Sequence, residues 1–243
     1  MNKYRQGHMK KDELKQNKLV DMALNFRHYA VKHKKHILTG VTVFFVLCIA
    51  LIWYVSDRRS TEATAQARLA VAYEELFEAD GSAAIDSLNE VIEEFPGTYA
   101  ADKARFHLGN VHVNLQQYDE AIELFEYVVD SRPSTYLYPL AVMAAGDALV
   151  DAPEEDQAEK RRQLNRAVQH YERLAQVNQG FRGTALYKKA HVQLAMNDFI
   201  AAERTIEALK NSPSEWSEKA TMLSAYMKML AAKAGESPSI LVD

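Results

Sequence analysis

The chain has 243 residues, 48% of them hydrophobic, and a formal net charge of −4 that is unevenly laid out. Residues 1–36 hold ten Lys/Arg against three Asp/Glu, whereas residues 57–243 hold 19 against 30. A nucleic-acid surface needs clustered cations to replace counterions, so the acidic bulk excludes that class, and the lone cysteine, Cys48, excludes a disulfide framework.

Residues 1–11 read as a solvated basic tail. From Asp12 the pattern changes: Leu19, Met22, Ala23, Phe26, Tyr29 and Ala30 fall on one helical face, with Lys15, Lys18, Arg27 and Lys32 mostly elsewhere. Three roles fit this basic helix at 12–31. It lies on an anionic leaflet, it docks on a membrane-protein partner, or it simply leads into the next segment.

That next segment, Ile37–Val55, reads ILTGVTVFFVLCIALIWYV and carries no charge, Asn, Gln or Pro. As a helix it spans roughly 28 Å, close to the hydrocarbon thickness of a bilayer, and it satisfies its own backbone groups. Trp53 and Tyr54 stand at one end, where amphipathic rings prefer the headgroup level, and Lys32, His33, Lys34, Lys35 and His36 bound the other. The 36-residue lead is too long for a signal-peptide n-region, and Val55-Ser56-Asp57 offers no small-x-small cleavage site. The expectation is an uncleaved transmembrane anchor with Cys48 as a small apolar membrane residue. Near the membrane, Lys18, Arg27, Lys32, Lys34 and Lys35 outnumber Arg58, Arg59 and Arg68. The positive-inside rule then places the N-terminus in the cytoplasm and the C-terminal domain outside it.

Residues 57–234 are helical in pattern, and they repeat. In a 34-residue frame, Asp102–Thr135 puts Leu108 and Gly109 at positions 7 and 8, Tyr118 at 17, Ala121 at 20, Phe125 at 24 and Pro133 at 32. These are tetratricopeptide-repeat positions. Small residues at 8 and 20 let two helices of a hairpin approach, a large residue at 24 fills the space beside them, and the proline ends the second helix. His112 stands where the pattern has Tyr and reads as a repeat-packing residue. Ala65–Thr98 fits the frame through Ala72, Ala84, Leu88, Val91 and Pro96. Pro139 onward gives Gly146, Ala167, Tyr171 and Leu174, with nine extra residues read as a charged, solvated excursion around Asp151–Arg162. Gly183–Trp216 gives Ala190, Phe199, Ala202, Ile206 and Leu209, with Pro213 one place early. A stack of such hairpins needs a terminal cap. Glu215–Ala234 supplies one, through a stripe of Trp216, Ala220, Leu223, Met227 and Leu230, and 235–243 reads as a flexible tail. The fold expected is all-α: a single transmembrane helix followed by a tetratricopeptide-type α-solenoid of about four hairpins and a C-terminal capping helix.

This layout resembles the YfgM-like family of bacterial inner-membrane tetratricopeptide proteins, ancillary subunits of the SecYEG translocon. The resemblance rests on the short basic segment, the span at 37–55 and the hairpins. It implies an extracytoplasmic protein of the inner membrane that contacts translocon channel subunits, periplasmic chaperones or exported clients. The stretch FPGTYAADKARFHLGNVHVNLQQYDEAIELFEYVVDSRP at 95–133 also looks like repeats in envelope lipoproteins of the outer-membrane assembly and Tol–Pal systems. Those carry a lipidated cysteine or a cleaved leader, which the present sequence does not show. A structural scaffold of a cell-envelope or division complex is therefore the second reading. A mitochondrial import receptor with a cytosolic solenoid is a third, and the charge orientation weighs against it.

No catalytic motif stands out. The sequence has no HExxH, Cys pair, GxxxxGK[ST], GxGxxG or GxSxG, so no catalytic residue, metal, cofactor or small-molecule substrate is expected. Glu154, Glu155 and Asp156 read as a solvated turn. Tetratricopeptide clamps for chaperone C-terminal carboxylates need Lys at position 5 and Asn at position 9 of the first repeat. The best repeat here has Asn110 at 9 but Phe106 at 5, and the first has Leu69 and Tyr73, so the clamp is absent. Positions 2, 5 and 9 of the first helices instead give a candidate protein-binding groove. It comprises Leu69 and Tyr73; Lys103, Phe106 and Asn110; Met143 and Asp147; Tyr187 and His191. Aromatic and Met side chains adapt to apolar segments of varied sequence, and interhelical core is the competing role for several of them.

Overall fold

The computed structural model describes residues 32–77, 81–131, 135–212 and 214–235. The basic tail and amphipathic pattern expected at 1–31, the prolines Pro133 and Pro213, and the tail from 236 onward lie outside the described residues. Regular structure among the described residues is entirely helical. The chain divides into two compact units, Met1–Ser60 and Thr61–Asp243.

In the first unit lies the apolar part of α1 (Lys34–Phe77). It is long and apolar enough to cross a membrane, by length and composition. Its large side chains stand exposed, Leu38 at 69% and Trp53 at 71%, unlike those of a core helix. The Thr39 and Thr42 hydroxyls donate to the Lys35 and Leu38 carbonyls at 2.9 Å, so neither is left unpaired in apolar surroundings. At the far end the Arg58 Nε–H donates to the Tyr54 hydroxyl at 3.1 Å.

The second unit is a stack of hairpins. The end of α1 pairs with α2 (Gly81–Glu94), α3 (Tyr99–Asn114) with α4 (Tyr118–Ser131), and α5 (Leu137–Asp151) with α6 (Gln157–Val177). Then α7 (Arg182–Ala195) pairs with α8 (Phe199–Lys210), and α9 (Ser214–Ala234) caps the stack. From α2 onward each helix packs on the next, α3 also meets α5, and α7 meets α9. The starts of these helices are written locally. Thr98, Asp156 and Asp198 each accept a backbone N–H of the first turn of α3, α6 and α8. Glu62 on α1 reaches across to accept the Tyr99 and Ala100 N–H groups at 2.7 and 3.0 Å, holding the first hairpin to the second.

Glycine at position 8 meets the large residue at position 24, as the frame requires. A Cβ on Gly109 would lie 2.6 Å from the Phe125 ring, and one on Gly146 would lie 2.6 Å from the Tyr171 ring. Gly183, unmarked in the frame, does the same for the cap: its missing Cβ leaves room for the Trp216 indole, which occupies the space that carbon would need. The stripe expected on α9 forms, with Ala220, Leu223, Met227 and Ala231 buried and Trp216 and Leu230 partly buried.

Three details add to the sequence reading. The charged excursion at Asp151–Arg162 is mostly helix: α6 starts at Gln157 and runs 21 residues, so the extra length adds turns rather than loop. Gln, Glu, Lys and Arg propagate helices well. Lys160 also bonds the Val150 and Ala152 carbonyls, satisfying the end of α5. His112 is half-buried, and its Nδ1 hydrogen-bonds the Gln117 amide oxygen at 2.7 Å, a link to the turn that the repeat position does not announce. The turns of the second and fourth hairpins use non-glycine residues in the left-handed region, Gln116 (φ 61°) and Asn197 (φ 57°), both at position 15. Each turn closes identically, Gln116 N–H to Val113 O and Gln117 N–H to His112 O, Asn197 N–H to Leu194 O and Asp198 N–H to Gln193 O. This is the Schellman pattern.

Buried apolar residues form two clusters. The smaller joins Ala65, Leu69 and Ala72 to Leu88, Val91, Ala100, Ala104 and Leu108. The larger runs from Ala121 to Ala231. The fully buried members change over between α3 and α4, while Phe106 of α3 packs on the larger cluster and Leu124 of α4 on the smaller.

Candidate protein-binding groove

Leu69 is 1% exposed and belongs to the smaller core cluster, so it lines no groove. Position 5 of the first hairpin points inward because its neighbours Leu88 and Leu108 must be covered. The other expected residues remain at least partly accessible and fall into two groups.

The first group lies on α1 and α3. The Tyr73 ring stands edge-on to His107 at 4.8 Å between centroids, and Phe106 is 5.5 Å from His107 and 5.7 Å from Phe125. The Lys103 ammonium sits 5.0 Å from the centroid of the Tyr99 ring, which in turn meets Tyr136 at 5.5 Å. Burial, then the positive charge of Lys103, holds the His107 imidazole below its ordinary value. Burial, then Tyr136, pushes the Tyr73 phenol up. Asn110 is half-buried on the same helix.

The second group joins α5, α6, α7 and α9. Asp147 accepts the Tyr171 hydroxyl at 2.6 Å and the Lys188 ammonium at 2.8 and 2.9 Å. Both carboxylate oxygens are thus engaged, and Asp147 joins α5 to α6 and α7. Burial, followed by the Asp147 charge, pushes the Tyr171 phenol far above its ordinary range. Tyr187 stacks edge-on to His191 at 4.5 Å and meets Trp216 at 6.1 Å, and the Lys219 ammonium lies 4.2 Å from the Trp216 ring centroid. Burial, then the Lys188 charge, lowers the His191 imidazole, which favours its neutral form. Asp147, Tyr171, Tyr187, Lys188 and His191 line one open cleft of about 360 Å³. Met143, also on α5, is half-buried against the larger cluster.

Counting positions 2, 5 and 9 does not mark every member of these groups; it passes over His107, Tyr99 and Tyr136 in the first and Tyr171, Lys188, Trp216 and Lys219 in the second. Lys188 carries one signal, its place one residue after Tyr187 opposite the acid at position 9 of the preceding hairpin. Trp216 enters the sequence pattern only as a residue of the cap.

The tetratricopeptide-repeat family model matches two overlapping stretches, residues 69–136 and 106–161. No curated protein matches the sequence. Among solved structures, a thermophilic tetratricopeptide-repeat protein of Thermus thermophilus is 17% identical over 70% of this chain and 89% of its own, with a TM-score of 0.47. A variant of the nearly identical tetratricopeptide-like repeats of a Podosopora anserina kinesin light chain is 14% identical. It covers 72% of this chain and 98% of its own, with a TM-score of 0.47. The hairpins, the glycine-to-ring packing and the matched repeats lead to one conclusion: the chain contains tetratricopeptide repeats and is built as a tetratricopeptide-type α-solenoid.

Proposed function

We propose that the chain is a single-pass membrane protein whose solenoid holds a partner polypeptide against an aromatic groove. Tetratricopeptide domains bind proteins, and that much follows from the repeats themselves. The finer reading assigns residues 1–36 to a basic cytoplasmic segment, 37–55 to the membrane and 57–234 to an extracytoplasmic tetratricopeptide domain. It makes the protein an accessory subunit of the SecYEG translocon, linking the channel to chaperones or exported clients. The observation that carries the binding role is the cleft where Tyr187, His191, Lys188 and Asp147 meet beside Trp216. Its mixed aromatic and charged lining suits a polypeptide that offers apolar side chains between polar backbone groups.

The test is photocrosslinking from positions within 37–55, with the partners identified. Translocon channel subunits are the expected products; division or peptidoglycan proteins in their place would overturn the translocon assignment in favour of a scaffold. A second arm changes Phe106 and Tyr187 to Ser. Crosslinking of partners to the solenoid should fall while the helical circular dichroism signal stays. Undiminished crosslinking would remove the groove from the binding surface.

A further inference from the structure

The opposite side of α7 carries a second site. At 100° per residue, Tyr187, Lys188 and His191 share one face of α7, while Arg182, Leu186, Lys189 and Gln193 share the face turned about half a circle away. That second face lines a cleft of about 320 Å³ together with Glu172 and Gln176 of α6 and Arg204 and Thr205 of α8. Three cations, Arg182, Lys189 and Arg204, stand around it against one lining carboxylate, Glu172. Glu172 pairs with Lys189, and this hydrogen bond holds its carboxyl below the usual range, so the two neutralise each other. Two guanidinium charges remain. Arg182 gives one N–H to the Ala175 carbonyl at 3.2 Å. Arg204 makes no hydrogen bond or ion pair with the described residues. This excess of positive charge is concentrated in a domain where acids outnumber bases by 30 to 19. Guanidinium groups are planar forks that match carboxylates two bonds at a time. The floor adds amide and hydroxyl groups: Gln193, 6% exposed, accepts the Thr205 hydroxyl at 2.8 Å and keeps its amide N–H₂ for another acceptor.

We infer that this cleft between α6, α7 and α8 is an anion site that takes carboxylate side chains of an acidic segment in a partner polypeptide, with Arg204 and Arg182 as the recognising groups. The volume admits one or two such side chains and no folded domain. The site is separate from the aromatic groove, so either can fail without the other.

The test uses the full chain in detergent and a fluorescein-labelled hexaglutamate peptide with an amidated C-terminus, read by anisotropy at low salt. The wild type should bind, with affinity falling steeply as salt rises. Arg204→Ala should weaken binding at least threefold and Arg204→Glu at least tenfold, at unchanged helical signal and melting temperature. Lys210→Ala, an exposed lysine paired with Glu207 outside the cleft, should leave binding as it was. Equal affinity for wild type and Arg204→Glu would overturn the assignment. So would absence of peptide binding while inorganic phosphate or phosphatidylglycerol vesicles bind in an Arg204-dependent way, since the ligand would then be a phosphate group rather than a carboxylate peptide.

Discussion

A methyl group at Gly146 has nowhere to go, because the Tyr171 ring it meets is buried and its hydroxyl is held by Asp147. Alanine gains about 1 kcal/mol of helix propensity, but overpacking costs about 1–3 kcal/mol. Gly146→Ala should therefore lose about 1 kcal/mol net, read as a lower urea midpoint at an unchanged slope. Gln116 points the other way. A non-glycine residue in the left-handed region costs about 1–2 kcal/mol, and glycine returns part of that as unfolded-chain entropy. Gln116→Gly should raise stability by up to about 1 kcal/mol, and Asn197→Gly by less, since Asn tolerates that region. Acid should also weaken the solenoid. The His107 and His191 imidazoles are held below their ordinary 6.5, so below that pH the unfolded chain binds protons that the folded chain resists. Their contribution to stability is fully present above about pH 6.5 and falls as pH drops toward the folded values. The melting temperature should be lower at about pH 5.5 than at about pH 7.5, and His107→Phe should flatten that dependence. Gly109 and Phe125 were legible in the sequence because their spacing is fixed within one hairpin. Asp147 and Lys188 were not legible as a pair, because only the stacking of one hairpin on the next brings them together.

At the level of the helices, α6 shows how a charged, solvated stretch can still be regular structure. Its first turns are polar on every side, yet an Asp156 cap, an Arg162–Glu159 pair and good helix formers carry them as helix. Lys160 joins that extension to α5 through two carbonyls that α5 cannot satisfy itself. Lys160→Ala should cost about 1 kcal/mol, seen as a lower melting temperature. The cap meets the groove through its Trp216 side chain. Trp216 fills the space above Gly183 and touches Tyr187, so Trp216→Ala should cost about 3 kcal/mol and loosen the groove with it. Near-ultraviolet circular dichroism would report the lost packing. The apolar stripe of α9 was legible from its period, whereas its place beside the groove was not, since period gives a face and not a neighbour.

For the whole molecule, the proposed topology makes a direct demand: protease added outside intact spheroplasts should digest the C-terminal bulk and spare what lies before the membrane. Protection of that bulk would reverse the orientation and remove the export role. The solenoid was legible because a hairpin with one apolar face must stack, and the repeat spacing states where. The groove was legible only in part, since the same frame position is buried at Leu69 and accessible at Phe106. The unequal size of the two clusters has a consequence of its own. Amide deuterium uptake should sort the domain into two blocks, residues 61–114 and 118–234, with the smaller taking up label first because fewer apolar side chains shield it. Loosening should start at the first hairpin, farthest along the chain from the cap, so the smaller block can open while the Tyr187–Trp216 end stays intact.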